Sequence, residues 1–273
     1  DKTSSQYFAS GEAAFEDIKE KLNNANKYIF MEYFIIKFGK MWDEILEILL
    51  RKAKEGVDVR VIYDDWGSPE LDKGYVSKLR GQGLKIYPFN KLTYKFVVQM
   101  NNRSHRKITI IDGEYGYVSG HNIGDEYINT IERFGYWKDN AVGIRGAAVI
   151  SLIDMFLTFW SFCSSDPKEN IRLYQNSVIE CEDDGFIQPF SDNPSDDLTV
   201  AETLHLNAIN NARKTIYIVT PYLIIGHEMI RALSNAAMTG VDVRVVLPGI
   251  PDKKLVYMVS RSHYLALMEA GVK

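Results

Sequence analysis

His105 and Lys107, two residues apart, head the stretch HRKITIIDGEYGYVSGHN (105–122), and Asn122 closes it. These residue types suit phosphate chemistry. A neutral imidazole is a nucleophile or base near neutral pH. A lysine ammonium holds a phosphate oxygen. An asparagine amide donates a hydrogen bond without adding charge. A bare H-x-K pair fits an ordinary surface hairpin. The full spacing H-x-K-x4-D-x7-G-x-N, which runs through Asp112 and Gly120, is far more specific.

Two β-type runs flank Asp112-Gly113, a strong hairpin signal. With Gly113 and Glu114 as a two-residue loop, Asp112 pairs with Tyr115, Lys107 with Gly120 and His105 with Asn122. Residues two apart share a strand face. His105, Lys107, Gly120 and Asn122 then cluster on one face, and Arg106 points away. Gly120 leaves room for a bulky group opposite the lysine. Asp112 sits at the turn, where it supports the hairpin rather than touching a substrate. A longer loop shifts this register by one to three residues.

The elements before the hairpin alternate. An amphipathic helix is predicted over 10–25 with Ser10 as N-cap, and the opening residues run into it almost at once. A strand follows at 28–36, then a helix at 41–55 closed by Gly56. A strand at 57–65, a helix at 69–82 and a strand at 84–89 complete the series, which argues for α/β architecture with a mostly parallel sheet. Residues 90–104 mix Lys91, Lys95 and Arg103 with Leu92, Tyr94, Phe96, Val97 and Val98. Two readings stand: a substrate-side loop that meets phosphate headgroups and lipid, or a core strand with snorkelling lysines. After the hairpin come a strand at 139–144, begun by Asp139, and an apolar helix at 146–162. A carboxylate near His105 would fix its tautomer and stabilise its imidazolium, as Asp139 is placed to do. The acids Asp64 and Asp65 end a strand, where a solvated turn explains them.

The 273 residues are 46% hydrophobic and 25% charged, a globular composition long enough for two α/β units. The net charge of −4 lacks the broad positive field of nucleic-acid binders, so no nucleic-acid partner is expected. Cys163 and Cys181 form no disulfide framework or metal pattern, and no metal or cofactor is expected. No run reaches the roughly 18 uncharged apolar residues of a spanning helix. There is no signal-peptide pattern, and the missing initiator Met reads as a chain cut from something longer. His121 alternates away from Asn122. Together with His205, His227 and His263 it reads as structural.

The second part repeats the first. ANKYIFMEYFII (25–36) matches ARKTIYIVTPYLII (212–225), EGVDVRVIYD (55–64) matches TGVDVRVVLP (239–248), and GLKIY (83–87) matches the terminal GVK (271–273). The expected organisation is a first half over 1–165, a connection over 166–184, and a second half over 185–273 that stops before a second hairpin. Tyr33 and Tyr222 end equivalent strands. In parallel sheets strand C-termini line the functional crevice, so both are secondary site candidates, with core packing an equal reading.

The motif formed by His105, Lys107, Asp112, Gly120 and Asn122 resembles that of the phospholipase D superfamily, H-x-K-x4-D-x6-G-[GS]-x-N, with Ser119 where Gly is usual. FMEYFII, NNRSHRKITIIDG, NIGDEYIN, RFGYWKD, GFIQPF and GVDVRVVLPGIPDKK are similar to bacterial cardiolipin synthases over nearly the whole chain. The resemblance implies two pseudo-symmetric halves with one site between them, each supplying a His, a Lys and an Asn. By position His105 is the nucleophile that forms a phosphohistidine, and Asp139 orients it. Lys107 and Asn122 bind phosphoryl oxygens, with Gly120, Ser119 and Arg103 beside the substrate. The second histidine protonates the leaving group. Two lysines supply the charge, so no metal is needed. The implied reaction joins two phosphatidylglycerol molecules into cardiolipin and glycerol, at the cytoplasmic side of the cell membrane. With the second motif outside the sequence, little turnover is expected from this chain. Hydrolysis or nuclease action by the same histidine, and a non-catalytic lipid-binding module, stay open as alternatives.

Overall fold

The computed structural model describes residues 2–91, 103–174, 181, 185–192 and 199–273. The chain divides into two compact units, Asp1–Phe190 and Ser191–Lys273. The loop residues at 92–98 that the sequence reading singled out lie outside the described residues.

The first unit is built on β2 (Tyr28–Tyr33), whose six residues are all buried. Such a continuously apolar strand belongs in the middle of a sheet. It pairs in parallel with β3 (Asp58–Asp64), which pairs in parallel with β4 (Lys85–Phe89). On its other side β2 runs antiparallel to β5 (Ile108–Ile111). That strand continues antiparallel through β6 (Tyr115–Ser119), β7 (Ala141–Gly146) and the edge strand β1 (Thr3–Phe8). The sheet is therefore mixed, with parallel pairing confined to β2–β4. The three-residue β5–β6 hairpin reverses the chain directly, whereas β7 follows β6 only after residues 120–140 and β1 comes from the start of the chain to pair with it.

The structure adds β1 to the sequence reading. The TSSQYF segment precedes the first helix and covers the sheet edge. It is too polar to announce itself, because only Thr3 and Phe8 are buried. The helix α1 (Gly11–Asn23) then starts as expected, with the Ser10 hydroxyl accepting from Ala13 N. With α2 (Lys40–Lys54) and α3 (Lys73–Gly81) it covers the face that presents Ile29, Met31, Val59, Val61 and Tyr117. The opposite face presents Tyr28, Phe30, Ile62, Ile108 and Ile110 to the apolar α4 (Val149–Ser164).

The boundary at 165 moves. Residues 166–174 are not a free connection: Tyr174 is buried in the second core, takes a hydrogen bond from Tyr28 Oη on its carbonyl (3.0 Å) and one from Arg60 on its hydroxyl (3.0 Å). An aromatic ring on a polar segment closes the open end of that core.

The second unit contains α5 (Val200–Asn211), β8 (Thr215–Val219), α6 (His227–Met238), β9 (Asp242–Val246), α7 (Lys254–Ser262) and α8 (Tyr264–Glu269). β8 and β9 pair in parallel as β2 and β3 do. Lys273 bonds through its backbone to Val243 and Val245, in the place that β4 takes beside β3. The repeat extends to side chains. Asp58 binds Arg60 and Lys85 (2.6 and 2.8 Å), and Asp242 binds Arg244 and Lys273 (2.8 and 3.0 Å). The D-V-R repeat is thus the signature of one ionic clasp between neighbouring strands.

The hairpin loop has three residues, Asp112, Gly113 and Glu114, so that Ile111 faces Tyr115. Asp112 and Gly113 both adopt the left-handed conformation (φ 54° and 67°), which Asp and Gly tolerate best. The Asp112 carboxylate accepts from the backbone N–H groups of Asn26, Lys27 and Tyr28 (2.7, 2.7 and 2.9 Å). It lies at the far end of β5 from Lys107 and pins the start of β2, so its position is structural rather than catalytic. Asp112→Ala is expected to cost about 1–2 kcal/mol, the worth of charge-assisted bonds at a partly exposed strand end. Urea unfolding followed by tryptophan fluorescence checks this cleanly, because Trp42, Trp66, Trp137 and Trp160 all lie in the first unit.

Candidate active site

One edge of the first sheet collects the chemistry. The C-terminal ends of β2, β3 and β6 meet the N-terminal ends of β5 and β7 there. With a three-residue loop the register is one residue away from the two-residue expectation. Lys107 pairs with Ser119, whose N–H donates to the Lys107 carbonyl (3.0 Å). Gly120 is displaced to the other face. It is glycine because a Cβ there would sit 2.3 Å from Asp139 Oδ1. Gly120 makes room for the Asp139 carboxylate, not for a group opposite the lysine.

His105 is exposed, and its ring lies 5.1 Å from that of Phe34. The segment that carries it is pinned on both sides. Ser104 Oγ and Arg106 Nε donate to Glu32 Oε1 (2.7 and 2.8 Å), and Arg106 Nη2 donates to Glu32 Oε2 (3.0 Å). Arg103 Nη1 donates to the Asn90 carbonyl (3.0 Å) and reaches Asp64 Oδ1 (3.4 Å). This position makes Arg103 an anchor of the segment. Asp64 is not in a solvated turn. It is buried, it caps the backbone N–H groups of Trp66 and Gly67, and burial holds its carboxyl above the usual range.

Lys107 is only 3% exposed, and its Nζ donates to the His105 carbonyl (2.6 Å). Burial pushes its pKa down to about 7, against the pull of Asp139 and Glu32. Two consequences follow. The unfolded chain binds a proton that the folded site refuses, so the ligand-free first unit gains stability as pH rises from about 7 to about 10.4. An anionic oxygen beside Nζ restores the charge. Inorganic phosphate binding at pH 8 is therefore expected to take up close to one proton, read as the dependence of calorimetric heat on buffer ionisation enthalpy. The same heat in every buffer would contradict it.

Asn122 Oδ1 accepts from Ile35 N (3.0 Å), and Nδ2 donates to Tyr127 Oη (3.2 Å). One amide proton is left for a ligand oxygen. Asp139 accepts from Trp137 Nε1 (3.0 Å) and Asn140 N (2.8 Å). His121 is buried, with Nδ1 3.2 Å from the Asn122 carbonyl, and burial lowers its pKa. It feels both Asp139 and Lys107, so this buried histidine belongs to the site's electrostatics. The hairpin register, continued past the paired residues, runs His105–His121–Asp139.

Tyr33 is buried and shares a hydrogen bond with Thr109 Oγ1 (2.9 Å), with Ser119 beside it. Its hydroxyl is taken up inside the sheet rather than facing outward. Tyr222 lies in the second unit, where its hydroxyl donates to Asp252 and Lys253 Nζ stands 5.2 Å from its ring. Sequence reasoning missed Glu32, Tyr127 and Trp137. Glu32 had a signal, a lone acid inside the apolar run FMEYF, and the tyrosine beside it drew attention first. Among the described residues no group of His, Cys, Asp and Glu is placed to hold a metal, and no helix is long and apolar enough to cross a membrane.

A mixed sheet between helical layers with a His, a Lys and an Asn gathered at its edge defines a phospholipase D-type fold. The fold is similar to that of phosphatidylserine synthase from Haemophilus influenzae, with a TM-score of 0.62 and 19% identity, over 96% of this chain and 67% of that one. The chain belongs to the family described as cardiolipin synthase, PLD-like domain, whose model matches residues 18–139 and 205–273. It is 45% identical over 270 residues to an uncharacterized protein of Streptococcus mutans, covering 98% of this chain and 58% of that one. It is 38% identical over 272 residues to the cardiolipin synthase of Halalkalibacterium halodurans (99% and 54%), and 38% over 273 residues to cardiolipin synthase 2 of Bacillus anthracis (100% and 53%). The chain spans about half the length of the curated relatives it matches.

Proposed function

We propose that the chain is the catalytic part of a phosphatidyltransferase that makes cardiolipin. His105 attacks the phosphorus of one phosphatidylglycerol. A P–N bond forms, the P–O bond to the headgroup breaks, and glycerol leaves with a proton from an acid that the resemblance assigns to the other half. The free hydroxyl of a second phosphatidylglycerol then attacks phosphorus, loses its proton to that same group, and releases His105. Two phosphatidylglycerols thus become one cardiolipin and one glycerol. Lys107 supplies positive charge to the phosphoryl oxygens as the transition state forms, and the remaining Asn122 amide proton adds a neutral donor. Asp139 stabilises the imidazolium side of the site.

The single observation that carries this reading is the exposed His105 two residues before the buried Lys107, whose side-chain nitrogen donates to the histidine's own backbone carbonyl. The phosphate cation is thereby held against the backbone that carries the nucleophile. The reading sets the protein at the cytoplasmic side of the cell membrane, acting on phospholipid rather than on nucleic acid.

Feeding headgroup-labelled phosphatidylglycerol tests the acceptor. Cardiolipin with released glycerol supports transfer. Phosphatidic acid with no cardiolipin would mean that water is the acceptor and the protein a hydrolase.

A further inference from the structure

The helices α7 and α8 carry an apolar stripe on each side. The inner one, Val256, Ser260, Tyr264 and Leu267, meets the second unit: Ser260 Oγ accepts from Leu223 N (3.0 Å), and Leu267 is part of the core. The outer one is Leu255, Met258, Val259, Leu265 and Met268, with exposures between 46% and 79%. A surface helix of a soluble unit places polar side chains there. Five large aliphatics on one short outer face make a patch of the kind that marks a docking surface.

The charges beside the stripe are mostly positive. Lys253, Lys254 and Arg261 are exposed, and the one exposed acid on the two helices is Glu269, the last residue of α8. Asp252, just before, accepts from Tyr222 Oη. We propose that the outer face of α7 and α8 docks on an anionic lipid surface, with the aliphatics entering the acyl boundary and the cations meeting phosphates. This rests on the phospholipid reading given above.

Charge decides between the possible occupants. A second copy would bring the same face into a two-fold contact and add three more cations to these three, with one Glu269 on each side against them. An anionic bilayer neutralises them, and a basic amphipathic helix is the usual solution for lying in that interface. The face is also tied to the site candidate of its unit. Lys253 stands over the Tyr222 ring at the start of α7, so docking would bring the end of β8 to the lipid headgroups.

The test is co-sedimentation of the chain with vesicles of phosphatidylcholine alone or mixed with phosphatidylserine, which the proposed reaction does not consume. The triple variant Leu255→Ser, Met258→Ser, Leu265→Ser is expected to lower partitioning onto the mixed vesicles by on the order of tenfold or more. Lys254→Glu with Arg261→Glu is expected to remove the preference for anionic vesicles. Leu173→Ser, an equally exposed position in the first unit, is expected to change nothing. All these side chains are exposed, and circular dichroism confirms that each variant is folded. The docking proposal is overturned if the parent chain ignores anionic vesicles, if the triple variant binds as the parent does, or if the variant merely converts a dimer to a monomer in sedimentation velocity. Variant-sensitive binding without phosphatidyl transfer upholds docking and removes the proposed reaction. Transfer with binding that the variants leave unchanged does the reverse.

Discussion

His105→Ala is expected to abolish phosphatidyl transfer, with a loss of about 10³-fold or more, the usual cost of removing a covalent nucleophile. Its stability should stay within about 0.5–1 kcal/mol of the parent, because the side chain is exposed and its ring contact is with Phe34 at the surface of the site. The stronger measurement is covalent. Protein exposed to phosphorus-labelled phosphatidylglycerol and quenched in alkali, which preserves P–N bonds, should carry label on the parent and none on the variant. Label retained by His105→Ala would assign the nucleophile elsewhere. Lys107→Met gives the contrasting signature. It leaves the nucleophile in place, so slow labelling is expected with the transition-state charge unsupported.

Glu32→Ala is expected to damage both stability and activity although the residue touches no substrate. The carboxylate is 1% exposed and holds Ser104 and both donors of Arg106. Removing it leaves a guanidinium and a hydroxyl without their partner beside the core. A fully buried broken pair costs about 3–5 kcal/mol. Arg106 keeps part of its exposure, so about 3 kcal/mol is expected, read from tryptophan-monitored urea unfolding. Activity should fall too, because the strap that presents His105 loses its anchor on β2. Glu32→Gln keeps an acceptor and should recover part of both losses. A double-mutant cycle with Arg106→Ala measures the coupling. Additive effects would show that the two residues do not act as a pair.

The two variants separate the attacking group from what holds it. One changes turnover and labelling and leaves unfolding alone. The other moves stability first and turnover as a consequence. A site assembled on the rigid edge of a sheet should behave this way, because the groups that touch phosphate and those that fix their rotamers are different residues.

Much of this was legible in the sequence for a physical reason. The helix and strand periods of α1, α2, β2, β3, α3 and β4 are local, and each was read from a few residues of chain. The repeat was legible because the Asp58–Arg60 clasp and its copy at Asp242–Arg244 need the same letters in the same order. The spacing from His105 to Asn122 pointed to phosphate chemistry because a hairpin can bring those types together.

Tertiary structure decided the rest. The register turned on whether Asp112 belongs to strand or loop, and that was settled by three N–H groups some eighty-five residues away in sequence, at the start of β2. Once Asp112 joined the loop, Ser119 replaced Gly120 opposite Lys107, and Gly120 acquired a different purpose beside Asp139. The polar edge strand β1 and the core role of Tyr174 depend on partners far along the chain, which no local pattern contains. Burial is also a property of the whole fold. Only the assembled sheet makes Lys107 a lysine with a pKa near 7, Glu32 an anchor and His121 part of the site. The sequence by itself determined which chemical groups the protein has for handling phosphate. Packing decided which of them face the substrate and which hold the others in place, because orientation and desolvation arise only when distant strands close on one another.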